Sequence, residues 1–176
     1  MKVIGIAGKA ESGKDTFGAI LKEELESQGK KVMHIGYGDF VKFIAKQYYN
    51  WNGEKDEHGR WLLQHIGTEE GRMKVNENIW VDMVINTIQV ADKDYDVAII
   101  TDCRFPNEFD RWREFGFDML KIKMLRLTHQ NKLTEEQRQH PSETSLDNYN
   151  DCILVQNEGT LEDLRDIAKQ IIKVNL

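Results

Sequence analysis

Gly8-Lys9-Ala10-Glu11-Ser12-Gly13-Lys14-Asp15-Thr16 decides how this chain is read. It fits the pattern G-x-x-x-x-G-K, and its flanks supply the context that the pattern needs. Val3, Ile4 and Ile6 form a short apolar run before it, ending in the small residues Ala7 and Gly8, and predict a strand. Phe17, Ile20, Leu21 and Leu25 follow at i, i+3, i+4 and i+8, one face of a helix. A strand, a glycine-bearing turn and a helix start are the parts of a phosphate-binding loop. The glycines let backbone N–H groups close around phosphate oxygens, and the helix N-terminus adds its positive dipole end. Lys14 would reach the β- and γ-phosphates, and every residue from Gly8 to Thr16 is a nucleotide-binding candidate. The position after Lys14, commonly a hydroxyl on Mg²⁺, is Asp15 here, with Thr16 one place later.

Outward from the loop, apolar runs and helical periods alternate. Ser27-Gln28-Gly29-Lys30-Lys31 closes the first helix, and Val32-Met33-His34-Ile35 is a short buried strand in which His34 reads as a core histidine. Asp39 and Lys42 sit just beyond it, near the carboxyl edge where open α/β sheets bind ligands. The helix that follows carries Phe40, Phe43, Ile44 and Tyr48 on one face. A polar loop spans 50–59, a helix runs from Arg60 to about Gly67 with Gln64 on its polar side, and Arg72 and Lys74 are possible phosphate contacts. Trp80, Met83, Val84 and Ile88 mark another helix. Residues from about 39 to 90 therefore form a helical insertion large enough to bind an acceptor.

Val97-Ala98-Ile99-Ile100 is a continuous apolar run, as expected of a parallel strand buried on both faces. Thr101-Asp102-Cys103-Arg104 ends it. Asp102 stands where a carboxylate would orient Mg²⁺ through water, and Arg104 could grip a phosphoryl group with two hydrogen bonds. The plainer alternative for the pair is a helix cap and a surface arginine bound to Glu108. Pro106 opens a helix bearing Phe109, Trp112 and Phe115 that Gly116 closes, and Met119 to Leu127 is a further strand. The polar stretch from about 127 to 150 suits a lid, with Arg126 and Arg138 as its phosphate contacts, or an ordinary surface connection. Cys152 to Val155 is a last strand, and Thr160 caps a helix burying Leu161, Leu164, Ile167, Ala168, Ile171 and Ile172. The alternation predicts one α/β domain, a three-layer α/β/α sandwich with a parallel, doubly wound sheet.

Composition narrows the function. A net charge of −6 over 176 residues gives no global attraction for nucleic acid or anionic lipid. Cys103 and Cys152 are too few for a disulfide framework, and free thiols in a reducing compartment are expected. No signal-peptide pattern and no membrane-length apolar run is present, so a cytoplasmic location is expected. Neither H-E-x-x-H nor C-x-x-C spacing occurs, nor a G-x-S-x-G elbow. A guanine-reading N-K-x-D is missing too: Asn131-Lys132-Leu133-Thr134 has Thr at the Asp position.

Together these pieces resemble the bacteriophage deoxynucleoside monophosphate kinases, within the P-loop nucleoside monophosphate kinase superfamily. The matching stretches are Gly8 to Thr16, Leu63-Gln64-His65-Ile66-Gly67-Thr68, Asn78-Ile79-Trp80-Val81, Thr101-Asp102-Cys103-Arg104, His140-Pro141-Ser142-Glu143 and Asn157-Glu158-Gly159-Thr160-Leu161-Glu162. Kinases of that superfamily also displace the loop threonine by one position, reading G-K-G-T, and let phosphates and water hold most of the Mg²⁺. The resemblance implies ATP with Mg²⁺ as donor and the 5′-phosphate of a (deoxy)nucleoside monophosphate as acceptor. By position Lys14 would hold the donor phosphates and Asp102 the Mg²⁺ water shell. Arg104, Gln64, Arg72 and Lys42, with Asp39 beside them, would hold the acceptor, and Arg126 and Arg138 would meet ATP from the lid. The S-G-K-D loop, the D-x-R strand end and Glu143-Thr144-Ser145-Leu146-Asp147-Asn148 are also similar to the animal-type phosphomevalonate kinases. Phosphomevalonate and dephospho-coenzyme A are therefore alternative acceptors, and a GTPase-type binding module is the alternative of another class. Monomer and homodimer both stay open.

Overall fold

In the computed structural model, which describes residues 1–128 and 133–176, five strands make one sheet. They are β1 (Lys2–Gly8), β2 (Val32–His34), β3 (Val97–Cys103), β4 (Met119–Leu125) and β5 (Ile153–Gln156), in the order β2-β3-β1-β4-β5. Every pairing is parallel. The helices are α1 (Lys14–Ser27), α2 (Tyr37–Tyr48), α3 (Glu57–Gln64), α4 (Ile79–Ala91), α5 (Pro106–Asp110), α6 (Glu135–Gln139), α7 (Pro141–Thr144) and α8 (Leu161–Asn175).

Strand periodicity splits the core into two layers. Ile4, Ile6, Val97, Ile99, Ile122 and Met124 face Phe17 and Leu21 of α1 and Leu164 and Ala168 of α8. Val3, Ala7, Ala98, Ile100 and Met119 face Val41, Ala45, Val84, Ile85, Ile88, Phe109 and Trp112. Both sheet faces are thus covered, which is why β1 and β3 read as unbroken apolar runs. The expected three-layer α/β/α fold with a parallel sheet is present.

Several local expectations need correction. The inner line of α2 is Tyr37, Val41 and Ala45, while Phe43 and Tyr48 are 59% and 71% exposed. Tyr37 sets that rotation, because its buried hydroxyl donates to Glu108 O at 2.7 Å and accepts from Trp112 Nε1. His34 is exposed rather than in the core, since β2 is a three-residue strand at the sheet edge. Gly67 does not end a helix; α3 runs into a π-helical stretch, His65–Val75, against which Trp80 packs with its Nε1 donating to Gly67 O. Leu161 is 66% exposed because it is the first residue of α8, just past the Thr160 cap. That cap is as expected: the Thr160 hydroxyl accepts from Asp163 N, and Asp163 accepts from Thr160 N. Gly29 and Gly116, both at positive φ, follow the ends of their helices.

The insertion between β2 and β3 has no strand among the described residues and comprises α2, α3, the π-helical stretch and α4, with a loop at 49–56. The proposed lid falls partly on 129–132, outside the described residues, as do Asn131 and Lys132 of the Asn-Lys stretch. Its described part holds α6 and α7. Both cysteines are free, Cys103 buried and Cys152 half-buried. Among the described residues no helix is long and apolar enough to cross a membrane.

Helix α1 crosses β3 at Gly18, where an added Cβ would meet Thr101 Cγ2 at 2.3 Å. Alanine there would gain about 1 kcal/mol of helix propensity but must displace a packed strand residue, at about 1–3 kcal/mol. Gly18→Ala is expected to lower stability, read as a lower urea midpoint at unchanged slope.

Candidate active site

The loop between β1 and α1 is shaped by backbone that few side chains allow. Gly8 and Gly13 have φ of 149° and 95°, and Glu11 is left-handed at 62°. A Cβ on Gly8 would lie 2.5 Å from Ser12 Oγ and 2.8 Å from Met124 O. The turn is closed by Ser12 N donating to Lys9 O at 3.2 Å, and Asn157 Nδ2 supports it from the β5–α8 turn by donating to Ser12 O at 3.0 Å. Lys14 is buried and donates from Nζ to Lys9 O at 2.8 Å. Ser12 Oγ is buried with no hydrogen-bond partner among the described residues. A buried hydroxyl pays to stay unpaired, so this cradle fits an oxygen-rich ligand such as a phosphate chain.

The charges around the loop point the same way. Burial, and then the neighbouring Arg104, lower Lys14 to a pKa of about 8, against the pull of Asp15, Glu143 and Asp102. Two cations held together out of water favour an incoming anion. Asp15 is exposed beside Lys14, its Oδ1 accepting from Thr101 Oγ1 at 2.8 Å, with His34 Nε2 3.3 Å from the same hydroxyl. Asp102 is engaged as a helix cap, the alternative that the sequence left open, though of α2 rather than of the helix that follows it. Its oxygens accept from Tyr37 N at 3.0 Å and Gly38 N at 2.8 Å, so it caps α2 across the sheet. Burial raises its pKa while those two amides oppose the rise.

Two cavities meet over this loop. The first, of about 270 Å³, lies between Gly8–Ser12 and the end of β4 and includes Arg126. The chain after β1 leads towards β2, while the chain after β4 leads towards β5. The connections diverge there and leave a crevice at the carboxyl edge. The second, of about 240 Å³, is bordered by Gly38, Lys42, Gln64, Arg72, Asp102 and Phe105. Arg104 and Ser142 line both. A larger hollow, about 640 Å³, opens at the opposite sheet edge. Of its cations, Lys2, Arg113 and Lys121, the last is already bound to Asp110 and Asp151 at 2.7 and 2.8 Å.

The structure brings together most of the residues singled out by sequence. Arg104 pairs with Glu143, not Glu108, through its guanidinium; Glu108 takes its backbone N–H instead. Arg72 binds Glu108 and stacks 4.2 Å over the Phe105 ring. Asp39 turns back to its own helix, accepting from Gly36 N and from Lys42 Nζ at 2.9 Å. Arg126 is exposed, with Nη1 3.5 Å from Glu11 O. Arg138 lies on α6, 3.3 Å from Glu135, and borders neither cavity. Sequence reasoning missed the roles of Glu108, Thr101, His34, Asn157 and Glu143. Of these, Thr101, Glu143 and Asn157 carried a signal as members of matching stretches to which no role was attached, and Glu108 only as a possible partner of Arg104.

The family described as deoxynucleotide monophosphate kinase matches residues 28–167. A deoxynucleoside-5′-monophosphate kinase of Escherichia phage T5 is 41% identical over 88 residues, 49% of this chain and 34% of that protein. The aligned part thus spans about a third of that relative's length. An uncharacterized protein of Ictalurid herpesvirus 1 is 27% identical over 164 residues, covering 93% of this chain and 67% of its own. Among solved structures, a sugar kinase from a Janibacter species superposes with a TM-score of 0.58 at 13% identity, covering 99% of this chain and 96% of that one. An APS kinase of Mycobacterium tuberculosis gives 0.52 at 8%, with 98% and 96% covered. At such identities these likenesses show the fold, that of P-loop kinases.

The Arg72–Glu108 pair is buried, its side chains 9% and 2% exposed. Removing one partner of such a pair strands the other charge and costs about 3–5 kcal/mol. Glu108→Ala is expected to lose that much in denaturant unfolding, and Glu108→Gln, which keeps acceptors for the Arg104 and Phe105 amides, clearly less.

Proposed function

The chain belongs to the deoxynucleotide monophosphate kinase family, and on that premise we propose that it transfers the γ-phosphoryl group of ATP to the 5′-phosphate of a deoxynucleoside monophosphate. One observation carries the reading: a cavity along the Gly8–Ser12 loop and a cavity bordered by Lys42, Gln64 and Arg72 share Arg104 as a common wall. In this reading the donor lies along the loop, its phosphates towards Lys14 and its remainder in the cavity beside Gly8–Ser12, and the other cavity takes the acceptor.

Each residue then has a task. Amides of the loop and the Lys14 ammonium bind the donor's β- and γ-phosphates, and Arg126 borders the nucleotide from the β4 end. Arg72, oriented by Glu108 and Phe105, and Lys42 draw in the acceptor phosphate, while Gln64 offers an amide to its base. An acceptor phosphate oxygen attacks the γ-phosphorus, a new P–O bond forms, and the bond to the β–γ bridging oxygen breaks, releasing ADP. Arg104 meets the transferred group between the cavities and spreads its charge. The insertion and α7 keep water from competing as acceptor. Mg²⁺, arriving with ATP, supplies further neutralisation of the phosphate charge. The exposed Asp15 carboxylate beside Lys14 and the Asp102 carboxylate at the end of β3 are oxygen donors of the kind that suit that hard cation. Among the described residues there is no cluster of three or more His, Cys, Asp or Glu to hold a metal by itself, so phosphates and water would complete its shell.

The test is ADP formation from ATP-Mg²⁺ with each common dNMP and NMP, phosphomevalonate and dephospho-coenzyme A. Turnover with one or more deoxynucleoside monophosphates is expected; turnover only with phosphomevalonate, or with no acceptor at all, would overturn the reading. Lys14→Ala is expected to lower kcat/KM on the order of 10²–10³-fold. The Lys14 pKa also sets a pH dependence. Below about 8 the lysine is already charged and binds the triphosphate without taking up a proton. Above it, binding must charge the lysine, so the Kd for ATP should rise roughly tenfold per pH unit. Calorimetry at pH 9 in buffers of different ionisation enthalpy should report uptake of about one proton, and Lys14→Arg should abolish it.

A further inference from the structure

We propose that Glu143 is a positioning residue of phosphoryl transfer: it holds Arg104 at the junction of the two cavities and locks the same arginine to the phosphate-binding loop. The inference rests on the reaction proposed above and assigns a residue that the reaction scheme had left without a part.

The argument starts from the guanidinium. Arg104 Nη1 pairs with Glu143 Oε1 and lies 3.4 Å from Ser142 O and 3.5 Å from Gly8 O. No acceptor among the described residues takes Nε or Nη2. One nitrogen is therefore pinned from three sides, and the edge formed by the other two stays open for the two-pronged grip that a phosphoryl group accepts. The second Glu143 oxygen accepts from Ala10 N at 3.0 Å, inside the loop itself. One carboxylate thus sets the distance between arginine and loop. An arginine has several rotatable bonds, and misplacing a catalytic group by about 1 Å can cost on the order of 10²-fold in rate.

Glu143 is itself held. Its side chain is only 8% exposed, and α7 is a short turn that cannot drift. Pro141 opens that turn, the His140 ring accepts from Ser142 N at 3.2 Å, and Ser145 N bonds Pro141 O at 3.0 Å. Downstream, Lys9 pairs with Asp147 at 3.0 Å, and Lys123 of β4 donates to Leu146 O at 2.5 Å. The turn is anchored to the loop and to the sheet on both sides of the arginine.

The experiment is a double-mutant cycle in the full chain, with ATP-Mg²⁺ and whichever deoxynucleoside monophosphate the unaltered protein accepts. Glu143→Gln is expected to lower kcat about 30- to 100-fold while the Kd for a fluorescent ATP analogue moves less than about threefold. Glu143→Asp should recover part of the loss. In an Arg104→Ala background Glu143→Gln should cost less than about twofold more, because a residue acting through Arg104 has nothing left to position. Melting temperatures close to that of the unaltered chain establish folding. Should Glu143→Gln not fold, Glu143→Asp carries the same cycle. Additive losses in the double variant would overturn the inference. So would tighter ATP-analogue binding with undiminished kcat, which would make Glu143 a carboxylate competing with the triphosphate for the Ala10 amide. Absence of acceptor-dependent ADP from the unaltered chain would overturn the proposed reaction, and this inference with it; an active unaltered chain with additive losses in the double variant, or with undiminished kcat in Glu143→Gln, would overturn only the inference.

Discussion

The buried ammonium of Lys14 is the charge around which the carboxyl edge of the sheet is built. It bonds across its own loop to Lys9 O and has Arg104 for a neighbour. Two cations withdrawn from water repel one another and want anions. The protein supplies Asp15, Glu143 and Asp102 around them, at different distances and with different prior commitments. Asp102 is taken up by amides of α2, Asp15 by Thr101, and Glu143 by Arg104 and Ala10. These commitments leave Lys14 buried and the Ser12 hydroxyl without a hydrogen-bond partner among the described residues.

Strand order delivers these groups to one place. β1 lies at the centre of the sheet, with β3 on one side and β4 on the other. The end of β3 contributes Arg104, the end of β4 contributes Arg126, and the turn after β5 contributes Asn157. Lys121 and Lys123 occupy β4 positions in line with buried Met119. They are tolerated because the chain around 146–151 folds over them and meets their ammonium groups with a carboxylate, a phenol and backbone carbonyls. The same segment carries α7 and Glu143 over the loop, so an electrostatic need on the sheet helps to fix a group at the site.

A second network joins the layers on the other side. Glu108 takes the Arg104 and Phe105 amides on one oxygen and Arg72 on the other, while its carbonyl accepts from Tyr37 and Trp112. Burial raises its pKa to about 7 against the opposing effect of Arg72. The network ties the helical insertion to β3 and α5, and it fixes how Arg72 faces the neighbouring cavity.

The chain's local patterns carried a good deal of this. Gly8 to Thr16, with an apolar run before it and a helical period after it, determined the tight turn between β1 and α1, because only certain residues tolerate its backbone. Alternating apolar runs and amphipathic helices determined the parallel, two-faced sheet, and Thr160 with Asp163 announced the last helix, since caps are made between near neighbours. Asp102 and Arg104 were legible as important from their place at a strand end. What they touch was not. The partners of Arg72, Arg104, Asp15 and Asp102 lie 36, 39, 86 and at least 64 residues away, and no local period encodes such pairings. The rotation of α2 was likewise decided by a Tyr37 hydroxyl reaching Glu108, 71 residues on. Sequence determined which chemistry stands at the carboxyl edge, because strand, turn and cap are short-range. Tertiary packing alone decided which charge neutralises which, because burial makes an unpaired charge costly and leaves each one few partners to choose from.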